Sequence, residues 1–325
     1  MVSSESFLAQ DRSADRTQDP EALFRSERRR LWGLAYRLTG SSADADDVVQ
    51  EAFVRLLARG PGAPLTAAAP WLARVTANLG IDALRRRRRR AYAGPWLPSP
   101  VETPDAQPPD LLQSQDPDPE ARYGLAESAT YAFLLALEAL SPRQRAVLLL
   151  RDVVGSSARE TADLLGASEE NVRVLHLRAR RALEAYDRAR CLPTAELRER
   201  HAAALRRFLD CLLAQDLRGL EALLAESVRT TTDAAGEYTA LATPLVGRAR
   251  VARLYLMAAL HRQEGGTTTE IRLVNGLPAA LVRLHRPVRR QAPRSLLRCE
   301  LDGDGRIHLI HAVLAPQKLA GLRLV

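Results

Sequence analysis

The chain has 325 residues, a formal net charge of +8 and a pI near 10.0. That is length enough for two or three domains with cores of their own, and a charge balance suited to a polyanionic partner. No run approaches the roughly 18 apolar residues of a membrane span. Residues 1–20 are polar and mixed in charge, unlike a signal peptide, and Cys191, Cys211 and Cys299 are odd in number, with no C-x-x-C or His/Cys cluster. The composition therefore points to a soluble, cytoplasmic protein with idle or buried thiols, no metal and no cofactor. Almost all the basic charge is arginine, Lys318 being the sole lysine, so where the charge falls matters more than its total.

Residues 21–91 read as a first helical domain. Over residues 44–57, Val49, Ala52, Phe53 and Leu56 fall on one helix face, while Asp44, Asp47, Gln50 and Glu51 line another. An acidic face on a basic protein is either a solvated surface or a docking surface. Pro70 then opens a helix at its first position, with Leu72, Val75, Leu79 and Ala83 inward and Asn78, Asp82, Arg85 and Arg89 on an adjacent strip. Arginines 85–90 close it without a break. Such a run repels itself, and phosphates relieve it with release of condensed cations.

Residues 92–125 form the expected linker, since the stretch 93–119 is rich in Pro, Asp and Gln and has no periodicity. Residues 126–190 form a second helical domain. Ser141-Pro142-Arg143-Gln144 combines an N-cap, a first-turn proline and a capping-box glutamine, and a second capping box stands at Ser157-Ala-Arg-Glu160. The helix it opens ends at Leu165, and Gly166-Ala167-Ser168 supplies a C-terminal glycine, a turn and a new N-cap, which is a helix-turn-helix. In the helix that follows, Val172, Leu175, Ala179 and Leu183 are the inward stripe. Glu169, Glu170, Arg173 and Val174 are the candidates to read bases, and Arg178, Arg180 and Arg181 the candidates to hold phosphates. Residues 198–325 are a third, α+β domain: helical to about residue 224, a helix near 248–261, and strands near 267–274, 279–284, 295–301 and 306–314. Asp302-Gly303-Asp304-Gly305 marks a hairpin between the last two.

Asp44-Ala-Asp-Asp-Val-Val-Gln-Glu-Ala-Phe-Val-Arg55 resembles the core-polymerase-binding part of region two of sigma-70 family factors. Pro70-Trp-Leu-Ala-Arg-Val-Thr-Ala-Asn-Leu-Gly-Ile-Asp-Ala-Leu-Arg-Arg86 resembles the promoter-melting segment that follows it. Leu140-Ser-Pro-Arg-Gln-Arg-Ala-Val-Leu148, Glu160-Thr-Ala-Asp-Leu-Leu-Gly166 and Arg178-Ala-Arg180 resemble region four. The resemblance is to extracytoplasmic-function sigma factors. It implies two all-α sigma domains that bind core RNA polymerase and promoter DNA and start transcription. Asp44, Asp47, Gln50 and Glu51 would meet the polymerase; Asn78, Asp82, Arg85 and Arg86 the minus-ten element; and the recognition helix, through Glu169, Glu170, Arg173, Val174, Arg178 and Arg181, the minus-thirty-five element. The loop 59–66 would hold a flipped base. Trp71 is either a core aromatic or a stacking platform.

Tyr92-Ala-Gly-Pro-Trp-Leu-Pro-Ser-Pro100 resembles the signature linker of the subgroup carrying a C-terminal SnoaL-like domain, with Ser99 where a glutamate usually stands. Residues 198–325 resemble that domain, a sheet-and-helix cone of the nuclear transport factor 2-like fold. Asp233-Ala-Ala-Gly236 and Ala315-Pro-Gln-Lys-Leu319 depart from its usual motifs. The resemblance implies regulation in cis, and Tyr92, Trp96 and Leu97 are expected to dock near Asp233 and Lys318. The fold also hosts enzymes. His308 and His311, however, have opposite strand parity and are expected on opposite faces, so a non-enzymatic domain, with at most a pocket for an unidentified small ligand, is the reading adopted. The alternative is a one-component helix-turn-helix regulator with a ligand-sensing domain, which would need neither the acidic face nor the arginine-ended helix.

Overall fold

The computed structural model describes residues 20–59, 68–90, 92–103, 122–263 and 265–322. These form two compact units, each described by itself: residues 20–89, 122–128 and 136–188, and residues 90–103, 129–135 and 189–322.

The first unit is all helical. Helix α1 (Pro20–Thr39), α2 (Ser42–Leu57) and α3 (Ala68–Arg89) bury Leu31, Val49, Ala52, Phe53, Leu56 and Leu72 in one core. Phe24 meets Phe53 edge to face at 4.7 Å. Helix α3 crosses α1 at Gly80, where a Cβ would lie 2.8 Å from Leu38 Cδ1, so the crossing depends on a missing side chain. Val75 and Leu79 sit at the edge of this core, and Ala73, Thr76, Ala77, Ile81 and Leu84 are buried in the middle of α3. The buried face is thus rotated from the expected stripe. The short helix α4 (Leu125–Ser128) precedes α5 (Tyr131–Ala136), whose first residues belong to the second unit.

Both capping boxes form. Ser141 and Gln144 open α6 (Pro142–Asp152), and Ser157 and Glu160 open α7 (Ala158–Leu165). Gly166 ends α7 in the left-handed conformation at φ 59, and Ser168 caps α8 (Glu169–Ala182). Val147, Ala162 and Val172 close the small core of this helix-turn-helix. The turn α9 (Glu184–Asp187) follows. Replacing Ser157 with alanine strips α7 of two reciprocal bonds, and chemical denaturation is expected to register a loss of about 1 kcal/mol.

The second unit opens, after the extended segment 92–103, with α10 (Ala195–Leu213) and α11 (Leu217–Leu223). Then come β1 (Leu224–Asp233), β2 (Leu245–Val246), α12 (Arg248–Gln263), β3 (Thr267–Val274), β4 (Leu277–Leu284), β5 (Arg294–Leu301), β6 (Ile307–Val313) and α13 (Pro316–Leu319). The sheet order is β2-β1-β6-β5-β4-β3. β1 runs parallel to β6 and every other pairing is antiparallel. Leu205, Phe208, Val251, Leu297, Cys299 and Ile310 fill the space between the helices and one sheet face, as the expected sheet-and-helix architecture requires. The β5–β6 turn closes through Asp302, whose Oδ1 accepts from the backbone N–H groups of Asp304 and Arg306 at 3.0 and 2.9 Å.

The other sheet face is covered from within the unit. Leu97, Tyr131, Leu319 and Leu322 pack on Val274, Leu281, Leu296 and Val313. Residues 92–103 are therefore a strap on the sheet domain rather than an unpacked spacer. The physical reason is Leu97, which is 2% exposed and contributes roughly 1.5–3 kcal/mol by its burial. Of the rest of the expected linker, residues 104–121 lie outside the described residues.

Candidate functional site

Helix α2 starts at Ser41, whose hydroxyl accepts from the Asp44 N–H at 3.2 Å. Burial of Ala45, Val48, Val49, Ala52 and Phe53 turns Asp47, Gln50 and Glu51 to solvent, with Asp44 half-buried. Glu51 pairs with Arg55 at 2.7 Å, and Trp32 donates to Asp46 at 2.9 Å. Val54 and Leu57 are 59% and 61% exposed and extend the same outer surface toward the C-terminal end of α2. Sequence reading passed over them because apolar residues were assigned to the core; Val54 stands three residues after the exposed Glu51, and Leu57 three after Val54, which holds the clue.

On α3, Asn78, Asp82, Arg85 and Arg86 are exposed. Asn78 Nδ2 donates to the Arg74 carbonyl at 3.0 Å, and Arg85 pairs with Asp82 at 2.9 Å. The arginine run is not uniformly available for phosphate. Arg87 donates to the Thr39 carbonyl at 2.9 Å and pairs with Glu138, and Arg88 donates to the carbonyls of Glu138 and Leu140. Glu138 also holds Arg145 at 2.6 Å. Arg145 is 0% exposed, and its Nε donates to the Arg37 carbonyl at 2.9 Å. Burial alone would raise the Glu138 pKa, but Arg145 and Arg87 more than offset it and hold the carboxyl below its usual range. Asn78, Asp82 and Arg85 line one cleft with Arg143, Leu165 and Leu175 of the helix-turn-helix. Trp71 is half-buried against the three-helix core, with the Arg59 guanidinium 4.7 Å from its ring. Residues 60–66 of the loop expected to receive a base lie outside the described residues.

On α8, Glu170, Arg173, Val174, Arg178 and Arg181 are exposed and Glu169 is half-buried, paired with Arg173 at 2.6 Å. Arg180 is turned inward. Its Nε and Nη2 donate to the buried Asp152 at 3.0 and 2.7 Å, beside His176 at 2.8 Å. That carboxylate fixes α8 on α6 and removes Arg180 from the phosphate candidates.

In the second unit the strap meets a buried ion pair. Asp233, 0% exposed, accepts from the Tyr92 hydroxyl at 2.6 Å through Oδ1 and from the Leu97 N–H at 2.8 Å through Oδ2. Lys318 Nζ lies 2.5 Å from the same Oδ2, donates to the Leu97 carbonyl at 2.6 Å, and sits 4.8 and 4.5 Å from the Tyr92 and Trp96 ring centroids. Tyr92, Trp96, Leu97, Asp233 and Lys318 thus converge on one cluster. At Gly236 (φ 77) a Cβ would approach Ala93 Cβ to 2.9 Å, so the turn after Asp233 also touches the strap. A second anchor was not foreseen. Asn275, in the left-handed region at φ 50, accepts from the Val101 N–H at 3.0 Å and donates to the Ala129 carbonyl at 2.8 Å. Its own N–H donates to the Val101 carbonyl at 2.8 Å, and Glu102 pairs with Arg272 at 2.6 Å. Asn275-Gly276 could have pointed to a tight turn in the sequence; its bonds to the strap could not be read there.

The histidines depart from strict alternation. β6 has a register irregularity at its pairing with Glu300 and Leu301, between Ile307 and Leu309, so residue counting through His308 fails. The buried Arg298 and His311, with the half-buried Glu300, lie beneath Tyr131, whose ring is 4.3 Å from the Arg298 guanidinium. Burial pushes His311 down to about 4 from 6.5, against the pull of Glu300. The folded chain therefore takes up this proton later than the unfolded one, and stability should fall as pH drops from about 6.5 toward 4, by roughly 3 kcal/mol from this group. Chemical denaturation across that range, compared between the parent and His311→Gln, checks it. Equal pH dependence in both would refute the assignment.

Among the described residues there is no group of three His, Cys, Asp or Glu side chains that could hold a metal, and no helix long and apolar enough to cross a membrane. Residues 23–90 match the Sigma-70 region 2 family and residues 131–183 the Sigma-70 region 4 family. The chain is 34% identical over 258 residues to the ECF RNA polymerase sigma factor SigJ of Mycobacterium tuberculosis, covering 78% of each chain. It is 29% identical over 310 residues to the probable ECF RNA polymerase sigma factor SigI of that organism, covering 94% of this chain and 97% of the relative. The crystal structure of M. tuberculosis SigJ superposes with a TM-score of 0.68 at 27% identity, over 94% of this chain and 99% of that one.

Proposed function

We propose that this chain, which belongs to the ECF RNA polymerase sigma factors of the sigma-70 family, brings core RNA polymerase to promoters in the cytoplasm under control of its own C-terminal SnoaL-like domain. The observation that carries the control is the strap. The segment leading out of region two is tied to the sheet domain by a buried Asp233–Lys318 pair that binds both the N–H and the carbonyl of Leu97. A state change in the sheet domain that loosens this pair frees the strap, and with it the chain that leads on toward region four.

In this reading Asp44, Asp47, Gln50 and Glu51, with the apolar Val54 and Leu57, form the polymerase-docking surface of α2. Asn78, Asp82, Arg85 and Arg86 take the melted minus-ten strand. Glu169, Glu170, Arg173 and Val174 read the minus-thirty-five duplex while Arg178 and Arg181 hold phosphates. The C-terminal domain acts as a regulator without chemistry of its own: His311 is held neutral and the helix-facing side of the sheet is filled by side chains.

Run-off transcription with purified core polymerase tests this. Initiation is expected to require the added chain and to fall by about tenfold or more on D47K/E51K, since reversing two interface charges costs several kcal/mol. It is expected to change on truncation after Pro193. Wild-type initiation by the charge-reversed chain would remove α2 as the docking surface, and unchanged initiation by the truncated chain would remove control in cis.

A further inference from the structure

We propose that the β4–β5 hairpin of the C-terminal domain is a second, sequence-independent contact for the phosphate backbone of duplex DNA. Between Glu270 and Glu300 the chain carries seven arginines and no acidic residue. Five of them, Arg283, Arg286, Arg289, Arg290 and Arg294, are on the tip half of this hairpin, and a sixth, Arg298, is buried further along β5. Among the described residues none of the five has an ion-pair partner. Arg283 and Arg294 stand directly opposite each other in register, an arrangement that costs stability where like charges face across a strand pair. The Arg294 pKa is lowered, first by burial and then by Arg272 and Arg283.

The loop at the tip is held in one shape while its side chains reach into solvent. Val288 N–H donates to Gln291 Oε1 at 3.1 Å, Gln291 N–H returns a bond to the Val288 carbonyl at 3.0 Å, and Thr239 N–H donates to the Arg290 carbonyl at 2.9 Å. Residues 285–290 are all exposed. Arg290 adopts φ 64, a left-handed conformation that Gly or Asn would take without the cost of order 1 kcal/mol borne by a long side chain. An arginine kept at a strained position, on a fixed loop and without an ion-pair partner among the described residues, is arranged to meet an external anion, and its planar fork suits phosphate oxygens. The uninterrupted row of positive charge fits a regularly charged backbone, and duplex DNA is the polyanion that a promoter-binding chain works on.

The test measures binding of the full chain to a short random-sequence duplex by fluorescence anisotropy over a salt series. R286Q/R289Q/R290N is expected to make the slope of log K against log salt shallower by roughly 2 to 3. R206Q/R250Q/R253Q, which removes the same charge from exposed positions on α10 and α12, is expected to keep the parent slope. The comparison does not depend on polymerase, so it can fail while the sigma-factor reading stands. An unchanged slope in the hairpin variant, or an equal loss in both variants, overturns the proposal. So does a loss confined to single-stranded RNA or to anionic lipid vesicles.

Discussion

Lys318→Met is expected to destabilise the C-terminal unit by about 3–5 kcal/mol in chemical denaturation. The substitution leaves the Asp233 carboxylate buried with neutral donors alone, the Tyr92 hydroxyl and the Leu97 and Ala235 N–H groups, and no counter-charge. Removing one partner of a buried pair costs far more than the pair contributes, because the remaining charge keeps its desolvation penalty. The Leu97 carbonyl loses a donor as well. Adding Asp233→Asn to Lys318→Met should recover part of the loss, and the coupling measured by that double-mutant cycle separates the ion pair from the packing of the lysine stem. The same variant reports on function. With the strap released, run-off transcription should differ from the parent, and the double variant should lie between. Parent-level initiation from a chain whose strap is proteolysed readily would sever the link between strap and regulation.

Glu138→Gln is expected to weaken the first unit by a similar 3–5 kcal/mol, because Arg145, fully buried, then depends on neutral acceptors alone. Arg87 loses its carboxylate too, so region two and region four part company more easily. The Asn78–Asp82–Arg85 strip shares its cleft with Arg143, Leu165 and Leu175, and loosening that contact should raise binding of the free chain to forked minus-ten DNA. The Glu138 pKa is depressed in the folded chain. Its contribution to stability is therefore present above its unfolded pKa and lost as pH falls through the folded one, a dependence that Glu138→Gln should abolish. Equal stability of parent and variant at neutral pH would mean that the clasp contributes nothing net.

The helices and their ends were legible in the sequence because they rest on local rules. Ser141/Gln144 and Ser157/Glu160 satisfy their own first turns, Gly166 takes its own left-handed conformation, and Asp302-Gly-Asp-Gly closes its own hairpin. The fold class and the family followed from those local signals and from motifs a few residues long. The convergence of the strap on Asp233 and Lys318 was reached through the linker's resemblance, since no local rule ties residues 97, 233 and 318 together.

What only the tertiary structure decided involved charges meeting at long sequence separation. Arg87 and Arg88 are tied down because Glu138 and Leu140 lie across from them, and Arg180 is held by Asp152, which is buried beneath α8. A run of arginines in a sequence does not say which of them already has a carboxylate. The register shift at His308 likewise undoes face assignment by counting, since an extra residue in a strand depends on its neighbour. Periodicity and capping belong to one segment and can be read there; the pairing of buried charges belongs to two, and appears only when the fold brings them together.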